Sequence, residues 1–355
     1  MTRSAVVVGG GIAGLATAAA LHACGWSVRV HERRDALAPG GTALGMWPEA
    51  MRVLDRLGAA EPVRRRAAFS RGAAILDPRG AVIGRIPDSR AAYLISRERL
   101  LTSLLERLPE DAVLWGQRWN PTDALSEADL VVGADGVHSA IRARHWGVGV
   151  ERPLGTVAFR GVLERPVVSV SETWGAGMLF GITPMDDGRT NWFACLRRSR
   201  VESGPGGRAD GAGDSGRSAD LLRDAFATWH PGVQRVLDQL DGAEIDRRTL
   251  VDVSLAQRYA KDRVVLLGDA AHGMAPNLGR GACESLVDAV ALADALEAHT
   301  AIDDALRRYD RLRRRRTRRI VSAARILNRV ATAERGAALR DVAVRVLLAR
   351  ADRTG

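Results

Sequence analysis

The chain has 355 residues, 46% hydrophobic and 26% charged, which is typical of a globular protein with room for two domains. No apolar run is long and charge-free enough to predict a membrane span, and three scattered cysteines, Cys24, Cys195 and Cys283, exclude a disulfide framework or a cysteine zinc site and favour a reducing, cytoplasmic setting. The net charge of +10 comes mainly from arginine, densest in residues 311–319. Because no aromatic interleaving or known motif supports a nucleic-acid partner, we interpret this cluster as a solvated helix face.

The first predicted elements are an apolar strand and an alanine-rich helix joined by a glycine-rich turn. The turn has the spacing G-x-G-x-x-G, formed by Gly9, Gly11 and Gly14. The first glycine allows a tight turn, the second lets the backbone approach a pyrophosphate, and the third lets helix and strand pack closely. The start of the helix then offers free N–H groups to phosphates. A second strand ends on Glu32, whose carboxylate can accept hydrogen bonds from a ribose. The pattern predicts a dinucleotide site.

Two other interpretations of this stretch are weaker. A ligand-free turn would not require an acid at the end of the second strand. A secretory signal would not carry glycines within its apolar run or be followed by a strand. The turn alone does not distinguish NAD, NADP and FAD.

Further along, helical and strand-like patterns alternate. Helices are predicted at residues 48–57, 96–108 (with Ser96 as N-cap), 221–240, 281–298 and most of 301–350. Buried strands are predicted at 128–136 and 264–267, strands of a second sheet at 156–164 and 178–196, shorter strands and turns at 67–87, and a low-complexity mobile loop at 203–217. Strands of a different sheet therefore separate the pieces of the nucleotide domain.

Two later motifs narrow the class. They are DLVVGADGVHSAIR at residues 129–142 and RVVLLGDAAHGMAPNLGRGACESLVDA at residues 263–289. Together with the glycine-rich turn they resemble the group A flavoprotein monooxygenases, the p-hydroxybenzoate hydroxylase-like family, which carry three such motifs in this order. The resemblance spans nearly the whole chain.

The resemblance implies an α/β (α+β) fold. Its parts are a Rossmann-like FAD-binding domain from residues 1–70, 97–150 and 250–300, an inserted mixed β-sheet substrate domain from residues 71–96 and 151–249, and C-terminal helices from 301–355.

The resemblance also implies which residues bind FAD. They are Gly9, Gly11, Ile12, Ala13, Gly14, Glu32, Arg33, Gly45, Met46, Arg97, Asp135, Gly136, Gly268, Asp269, Pro276, Gly279, Arg280, Gly281 and Ala282. Considered without the resemblance, Asp135 and Asp269 are also typical helix-capping residues, and Arg97 is a surface arginine at the start of a helix. The chain departs from the family pattern near the flavin, with Arg280 in place of a common glutamine and Glu284 in place of asparagine or glutamine.

Residues for substrate and chemistry are less determined. Trp47, Phe180 and Trp192 are candidate substrate contacts, and strand alternation places the last two on one sheet face. Each is also an ordinary core residue. Arg160 either approaches the flavin or substrate or supports the sheet. His272 is either a catalytic base or a structural residue.

The resemblance implies that NADH or NADPH, bound transiently, reduces FAD, and that one oxygen atom of dioxygen enters an aromatic or olefinic small molecule, in specialised metabolism. No nucleic acid or membrane span is expected, and the enzyme is expected to be a monomer or homodimer. Alternatives are a non-oxygenating FAD-binding protein that binds or protects an intermediate, a flavin-dependent halogenase, whose W-x-W-x-I-P signature the sequence lacks, and an NAD-dependent dehydrogenase, which would not need the third motif.

Overall fold

The computed structural model describes residues 2–37, 41–86, 91–120, 128–147, 151–166, 170–202, 215–253 and 258–351, with side chains up to residue 348. In chain order the strands are β1 (Ser4–Val8), β2 (Ser27–His31), β3 (Ala43–Met46), β4 (Ala68–Ser70), β5 (Ala73–Leu76), β6 (Val82–Ile86), β7 (Ala92–Ser96), β8 (Val113–Leu114), β9 (Leu130–Gly133), β10 (Glu151–Leu163), β11 (Val170–Trp174), β12 (Met178–Pro184), β13 (Thr190–Arg197), β14 (Asp246–Val253), β15 (Ala260–Lys261) and β16 (Val264–Leu266).

The helices are α1 (Ile12–Ala23), α2 (Pro48–Arg56), α3 (Ala60–Arg66), α4 (Arg97–Leu105), α5 (Ala140–Trp146), α6 (Arg198–Glu202), α7 (Ser215–Phe226), α8 (Pro231–Leu237), α9 (Asp269–His272), α10 (Gly281–Ala298), α11 (Ile302–Ala331) and α12 (Ala337–Ala351). The Ser96 hydroxyl caps α4 by accepting from the Arg99 N–H, as predicted. Residues 215–217 belong to α7 rather than to the predicted mobile loop, whose other residues, 203–214, lie outside the described residues.

A six-stranded sheet, in the order β15-β16-β9-β1-β2-β8, holds the glycine-rich turn. All its pairs are parallel except β15 with β16. Every residue of β9 is buried, as its continuous apolar sequence predicts for a parallel strand covered on both faces. Because β1, β9 and β16 are parallel neighbours, the loops that follow them meet at one edge.

The second large sheet is mixed and has seven strands, in the order β14-β10-β13-β12-β11-β5-β6. One face packs against α7 and α8. Part of the other face packs against α11 and α12. A three-stranded sheet, β3-β7-β4, contacts the seven-stranded sheet, since the Ala43 N–H donates to Asn191 Oδ1 on β13 at 3.1 Å. The predicted fold class is confirmed.

No helix in the described part of the chain combines the length and hydrophobicity that crossing a membrane requires.

Candidate FAD and substrate site

The three glycines of the turn have different surroundings. A Cβ at Gly9, whose φ is +106°, would lie 2.5 Å from the Ala134 carbonyl oxygen, and one at Gly14 would lie 1.8 Å from the Gly9 carbonyl oxygen. These two glycines are required by packing between β1, β9 and α1. A Cβ at Gly11 would meet only the Arg97 guanidinium, at 3.9 Å. The backbone at Gly11 is therefore open toward a cleft, as a pyrophosphate would require.

The acid at the end of β2 is held against this turn. Glu32 is 8% exposed; its Oε2 accepts from the Gly10 N–H at 2.7 Å and its Oε1 from the Arg34 N–H at 3.0 Å. The following Arg33 is exposed. The carboxylate thus lies beside the turn, where a ribose contact was expected, but its present bonds are to the backbone.

Two opposite charges face the cleft. Arg97 starts α4 and Asp269 starts α9, and both side chains are exposed. Desolvation lowers the pKa of Arg97, Asp269 raises it, and Arg160 and Arg34 lower it further. Protein atoms therefore surround the Arg97 guanidinium, although solvent reaches it. No ion pair or hydrogen bond of either side chain to a described residue is present, so both remain available to a ligand.

The turn before Asp269 is tightly packed. Gly268 has a φ of +57°, and a Cβ there would lie 2.8 Å from both Ala13 Cβ and Ser285 Oγ. Glycine is therefore required at this position to bring α9, α1 and α10 together.

The second motif combines a helix cap with a structural arginine. Asp135 Oδ2 accepts from the N–H groups of Ala140 at 2.7 Å and Ile141 at 3.2 Å, which caps α5, while Gly136 has a φ of +84°. Buried Arg142 donates to the Ala270 carbonyl at 2.7 Å and also to the Val137 carbonyl. Asp135 Oδ1 is buried without a partner among the described residues. Arg142 thus ties the loop after β9 to α9.

Another side of the cleft is formed where β3 and the residue after it contact the start of α10. The Trp47 Nε1–H donates to the Gly279 carbonyl at 3.2 Å, and the Cys283 thiol donates to the Gly45 carbonyl at 3.2 Å. Met46 is fully buried, and Gly279 has a φ of +59°. Pro276 begins a short 3-10 turn, while Gly281 and Ala282 open α10. The structure therefore brings this apolar segment and the predicted helix start together.

Arg280 is committed to carboxylates rather than free for a ligand. Its guanidinium pairs with Glu49 at 2.9 Å and with Glu284 at 2.6 Å. These pairs use Nε and Nη2 of Arg280, which leaves Nη1 and the backbone for a cofactor contact. Arg316 of α11 also pairs with Glu49.

His272 is not placed as a catalytic base. It is fully buried, and its Nε2 lies 2.6 Å from Asp288 Oδ2. Burial lowers the pKa of His272, but the Asp288 carboxylate raises it by a larger amount, so the net shift is upward. Of the two interpretations of His272, the structural one is favoured, because this imidazole is buried inside the protein and bound to a carboxylate.

A buried charged network beneath the cleft was not predicted. Asp288 accepts from the Gly268 N–H at 2.8 Å and from Arg313 Nε at 2.5 Å, and Arg313 also donates to Glu284 Oε2 at 2.6 Å. These side chains are almost fully buried. Burial raises the pKa of Asp288, but His272 and Arg313 lower it to about 2. The arginine cluster in residues 311–319 is therefore only partly a solvated helix face.

The signal for this network is present in the sequence. Glu284 and Asp288 lie four residues apart in the first half of α10, where the other residues are mostly apolar, and charged residues inside an apolar stripe require buried partners. Their partner on α11 could not be identified from spacing.

The predicted substrate residues on the large sheet face the wrong side. Phe180 and Trp192 do share a face, with ring centroids 5.9 Å apart, but both are fully buried against α7 and α8. The opposite face carries Arg160, which is in register with Phe193 on β13 and pairs with Asp246 at 2.6 Å. Because Asn191 on this same face contacts β3, this face is turned toward Trp47 and the cleft. The prediction for Phe180 and Trp192 is wrong because alternation does not tell which face is covered.

The glycine turn, the open charges and the helix start define a dinucleotide-binding flavoprotein fold with a second, substrate-facing sheet. The chain belongs to the FAD-binding domain family, which matches residues 2–78 and 97–324. It is an FAD-dependent monooxygenase.

Several proteins of known activity are similar to the chain. It is 32% identical to the aurachin C monooxygenase/isomerase of Stigmatella aurantiaca, over 90% of this chain and 87% of that one. It is 36% identical to the 3-amino-4-hydroxybenzoate 2-monooxygenase of Streptomyces cremeus, over 90% and 86%. Klebsiella pneumoniae HpxO, solved with FAD and uric acid, superposes with a TM-score of 0.85 at 27% identity, over 97% of this chain and 92% of that one.

Proposed function

We propose that this enzyme consumes NADH or NADPH and inserts one oxygen atom of dioxygen into an aromatic or olefinic small molecule, by hydroxylation or epoxidation. For an aromatic C–H the balanced reaction converts substrate, dioxygen, NAD(P)H and a proton into hydroxylated product, water and NAD(P)⁺. Two relatives support aromatic rings as substrates: one is named for 3-amino-4-hydroxybenzoate, and one was solved with uric acid.

The observation that carries the proposal is the pair of charges in the cleft, Arg97 and Asp269, that have no partner among the described residues. The fit to FAD is good: the open backbone at Gly11 lies beside the Arg97 guanidinium, and Asp269 faces the same cleft. In this arrangement Gly11 and Arg97 would hold the pyrophosphate, Asp269 the ribityl hydroxyls and Glu32 the adenosine ribose. The segment from Gly45 to Trp47 and the start of α10 would border the isoalloxazine.

When bound, FAD supplies the redox chemistry, accepting two electrons from the nicotinamide and activating dioxygen. The protein has to bind, orient and shield. The N–H groups at the start of α10 favour negative charge next to them. Trp47, backed by the buried Met46, would provide an apolar wall that limits water. The sheet face that carries Arg160 and Phe193 would orient the substrate.

We further propose that the enzyme works in the cytoplasm as a monomer or homodimer, in specialised metabolism, with the domain limits given above. The three free cysteines suit a reducing compartment.

The test is oxygenation by the FAD-loaded enzyme. The protein is supplied with NADH or NADPH and a panel of 3-amino-4-hydroxybenzoate, uric acid, other phenols, indoles and polyketide aromatics, under ¹⁸O₂. We expect substrate-dependent oxygen uptake and a product that contains one ¹⁸O atom. FAD binding with no oxygen uptake on any member would favour the non-oxygenating alternative, and a protein that cannot retain FAD would contradict the main proposal.

A further inference from the structure

The side of the large sheet that carries Arg160 and Asp246 also carries a carboxylate, Glu172, that the sequence did not single out. Glu172 lies on β11, in register with Gly181 on β12, which is itself in register with Phe193 on β13. Phe193 in turn is in register with Arg160 on β10. Cross-strand partners project to the same side, so Glu172, Phe193 and Arg160 form one row on one face.

The missing side chain of Gly181 shapes this row. A Cβ at Gly181 would lie 2.1 Å from Phe193 Cζ, so the aromatic ring lies directly over the glycine. The ring therefore reaches across β12 to the position next to Glu172. An aromatic surface and a carboxylate then stand side by side, the combination that suits a planar ring with a hydrogen-bond donor.

The two oxygens of Glu172 differ in their partners. Oε2 accepts from the Trp174 Nε1–H at 2.8 Å, which fixes the carboxylate. Oε1 makes no hydrogen bond to any described residue, and it is not sealed from solvent. Glu172 is partly exposed. Burial raises the pKa of its carboxyl group by more than the Trp174 hydrogen bond lowers it, so the net shift is upward. Glu172 therefore combines a desolvated side chain with one oxygen that no described residue occupies, beside residues that pack against α11 and α12.

The other charged group of the row is already satisfied. Arg160 donates to Asp246 through Nε at 2.7 Å and lies 2.6 Å from it through Nη2. Asn191, further along β13, is used as well, accepting from Ala43 and donating to Thr183 at 2.9 Å. Among these polar side chains, Glu172 Oε1 is the acceptor left for a ligand.

We propose that Glu172 recognises the substrate and serves as its base: Oε1 accepts the hydrogen of a ring hydroxyl or ring N–H that lies against Phe193. During oxygen transfer the proton moves from that O–H or N–H to Oε1, the bonding electron pair stays on the substrate heteroatom, and the carboxyl group returns the proton to water after product release. The inference rests on the proposed aromatic hydroxylation and names the chemical feature of the substrate that the site selects. A general base is most effective when its pKa lies near the pH at which the enzyme works. Burial raises the pKa of Glu172 from its usual acidic value toward that range, which supports this role.

The test separates recognition from oxygenation by measuring binding. Probes are uric acid, 4-hydroxybenzoate and 4-methoxybenzoate, in which a methyl group replaces the hydroxyl hydrogen and no other ring donor remains, and binding to FAD-loaded enzyme is followed by the change in flavin absorption. Glu172→Gln keeps an oxygen for Trp174 but loses the charge. We expect it to weaken binding of the donor-bearing probes by about tenfold to a hundredfold, the effect of a charge-assisted hydrogen bond. The methoxy analogue should bind wild type and variant equally.

The controls distinguish a structural effect. Glu164→Gln changes an exposed glutamate just beyond β10 and should leave all binding unchanged. Equal weakening of the hydroxy and methoxy probes in Glu172→Gln, unchanged binding of the hydroxy probe, or failure of wild type to bind any donor-bearing probe would each overturn the inference. If binding follows the expected pattern but no probe is oxygenated, the proposed function fails while the recognition role of Glu172 stands.

For a probe that is oxygenated, kinetics provide the second reading. Glu172→Gln should lower kcat by about a hundredfold, as expected for loss of a general base, and raise KM. FAD content and Tm should match those of wild type. A fall in FAD content that accounts for the lost rate would instead assign Glu172 a structural role.

Discussion

Charged residues have opposite uses on the two sides of the Gly268–Asp269 turn. Above it, Arg97 and Asp269 face an open cleft without partners among the described residues. Below it, Asp288 and Arg313 are sealed in the interior, and each bonds to at least two groups. A buried charge that loses its partner is costly, whereas an open one is solvated. The lower set therefore maintains the fold, and the upper set is left for the cofactor.

The largest expected effect comes from breaking the lower set. Asp288→Asn removes the charge that faces both His272 and Arg313, and we expect it to lower the free energy of unfolding by about 3–5 kcal/mol. Urea unfolding of the FAD-free protein measures this. Asp294→Asn is the matched control on the same helix, because Asp294 forms an exposed pair with Arg56 and should cost less than about 1 kcal/mol. Similar losses in both variants would contradict the distinction.

We expect the same carboxylate to set the acid limit of stability. The pKa of Asp288 is lowered from 3.8 to about 2 in the folded protein. A lowered folded-state pKa gives a stabilising contribution that is present above pH 3.8 and is lost as the pH falls toward 2. Unfolding measured between these values should become steeply pH-dependent in wild type and less so in Asp288→Asn. An unchanged pH profile in the variant would show that other carboxylates set the acid limit.

The upper set should behave in the reverse way. Arg97→Ala is expected to weaken FAD binding by about tenfold to a hundredfold, the worth of a charge-assisted hydrogen bond. The stability of the FAD-free protein should change by no more than about 0.5 kcal/mol, because the guanidinium pairs with no described residue. Calorimetric titration with FAD and urea unfolding measure the two quantities. Arg52→Ala, an exposed position on α2, is the control and should leave both unchanged.

The glycine-rich turn contains the same contrast within six residues. Gly14→Ala forces α1 away from the Gly9 carbonyl oxygen and should cost at least about 1–3 kcal/mol of stability in the absence of FAD. Gly11→Ala puts its methyl group into the open cleft, so it should weaken FAD binding while stability stays within about 0.5 kcal/mol. A stability loss of the same size in both variants would mean that Gly11 is also required by packing.

The sequence predicted what depends on local pattern and on the order of motifs. The strand, turn and helix around Gly9 to Gly14 follow from spacing, and so do α10 and the cap of α4 at Ser96. It did not predict contacts that depend on which surfaces meet. Arg313 lies in a run of arginines that look alike in sequence, and only the packing of α11 on α10 selects it for burial. Glu284 was recognised as a departure from the family pattern, but its partner is contributed by another helix.

The large sheet is a second case in which the sequence did not predict which surfaces meet, and substitutions with small expected effects can test it. Alternation correctly placed Phe180 and Trp192 together, but neither strand records which face the helices cover. Trp192→Phe keeps an aromatic ring in the core and removes an Nε1–H that is buried without a partner among the described residues. The two effects oppose each other, so we expect a stability change below about 1.5 kcal/mol and unchanged substrate KM.

Phe193→Leu, one residue along the same strand, is the matched comparison on the opposite face. It replaces the aromatic ring that lies over Gly181 with a smaller aliphatic side chain. We expect the KM of an aromatic substrate to rise several-fold with FAD content unchanged, because stacking between the substrate ring and Phe193 is lost. The pair is measured by steady-state kinetics with the substrate found by ¹⁸O₂ incorporation. If Trp192→Phe raises KM and Phe193→Leu does not, the α7–α8 face of the sheet is the one that contacts the substrate.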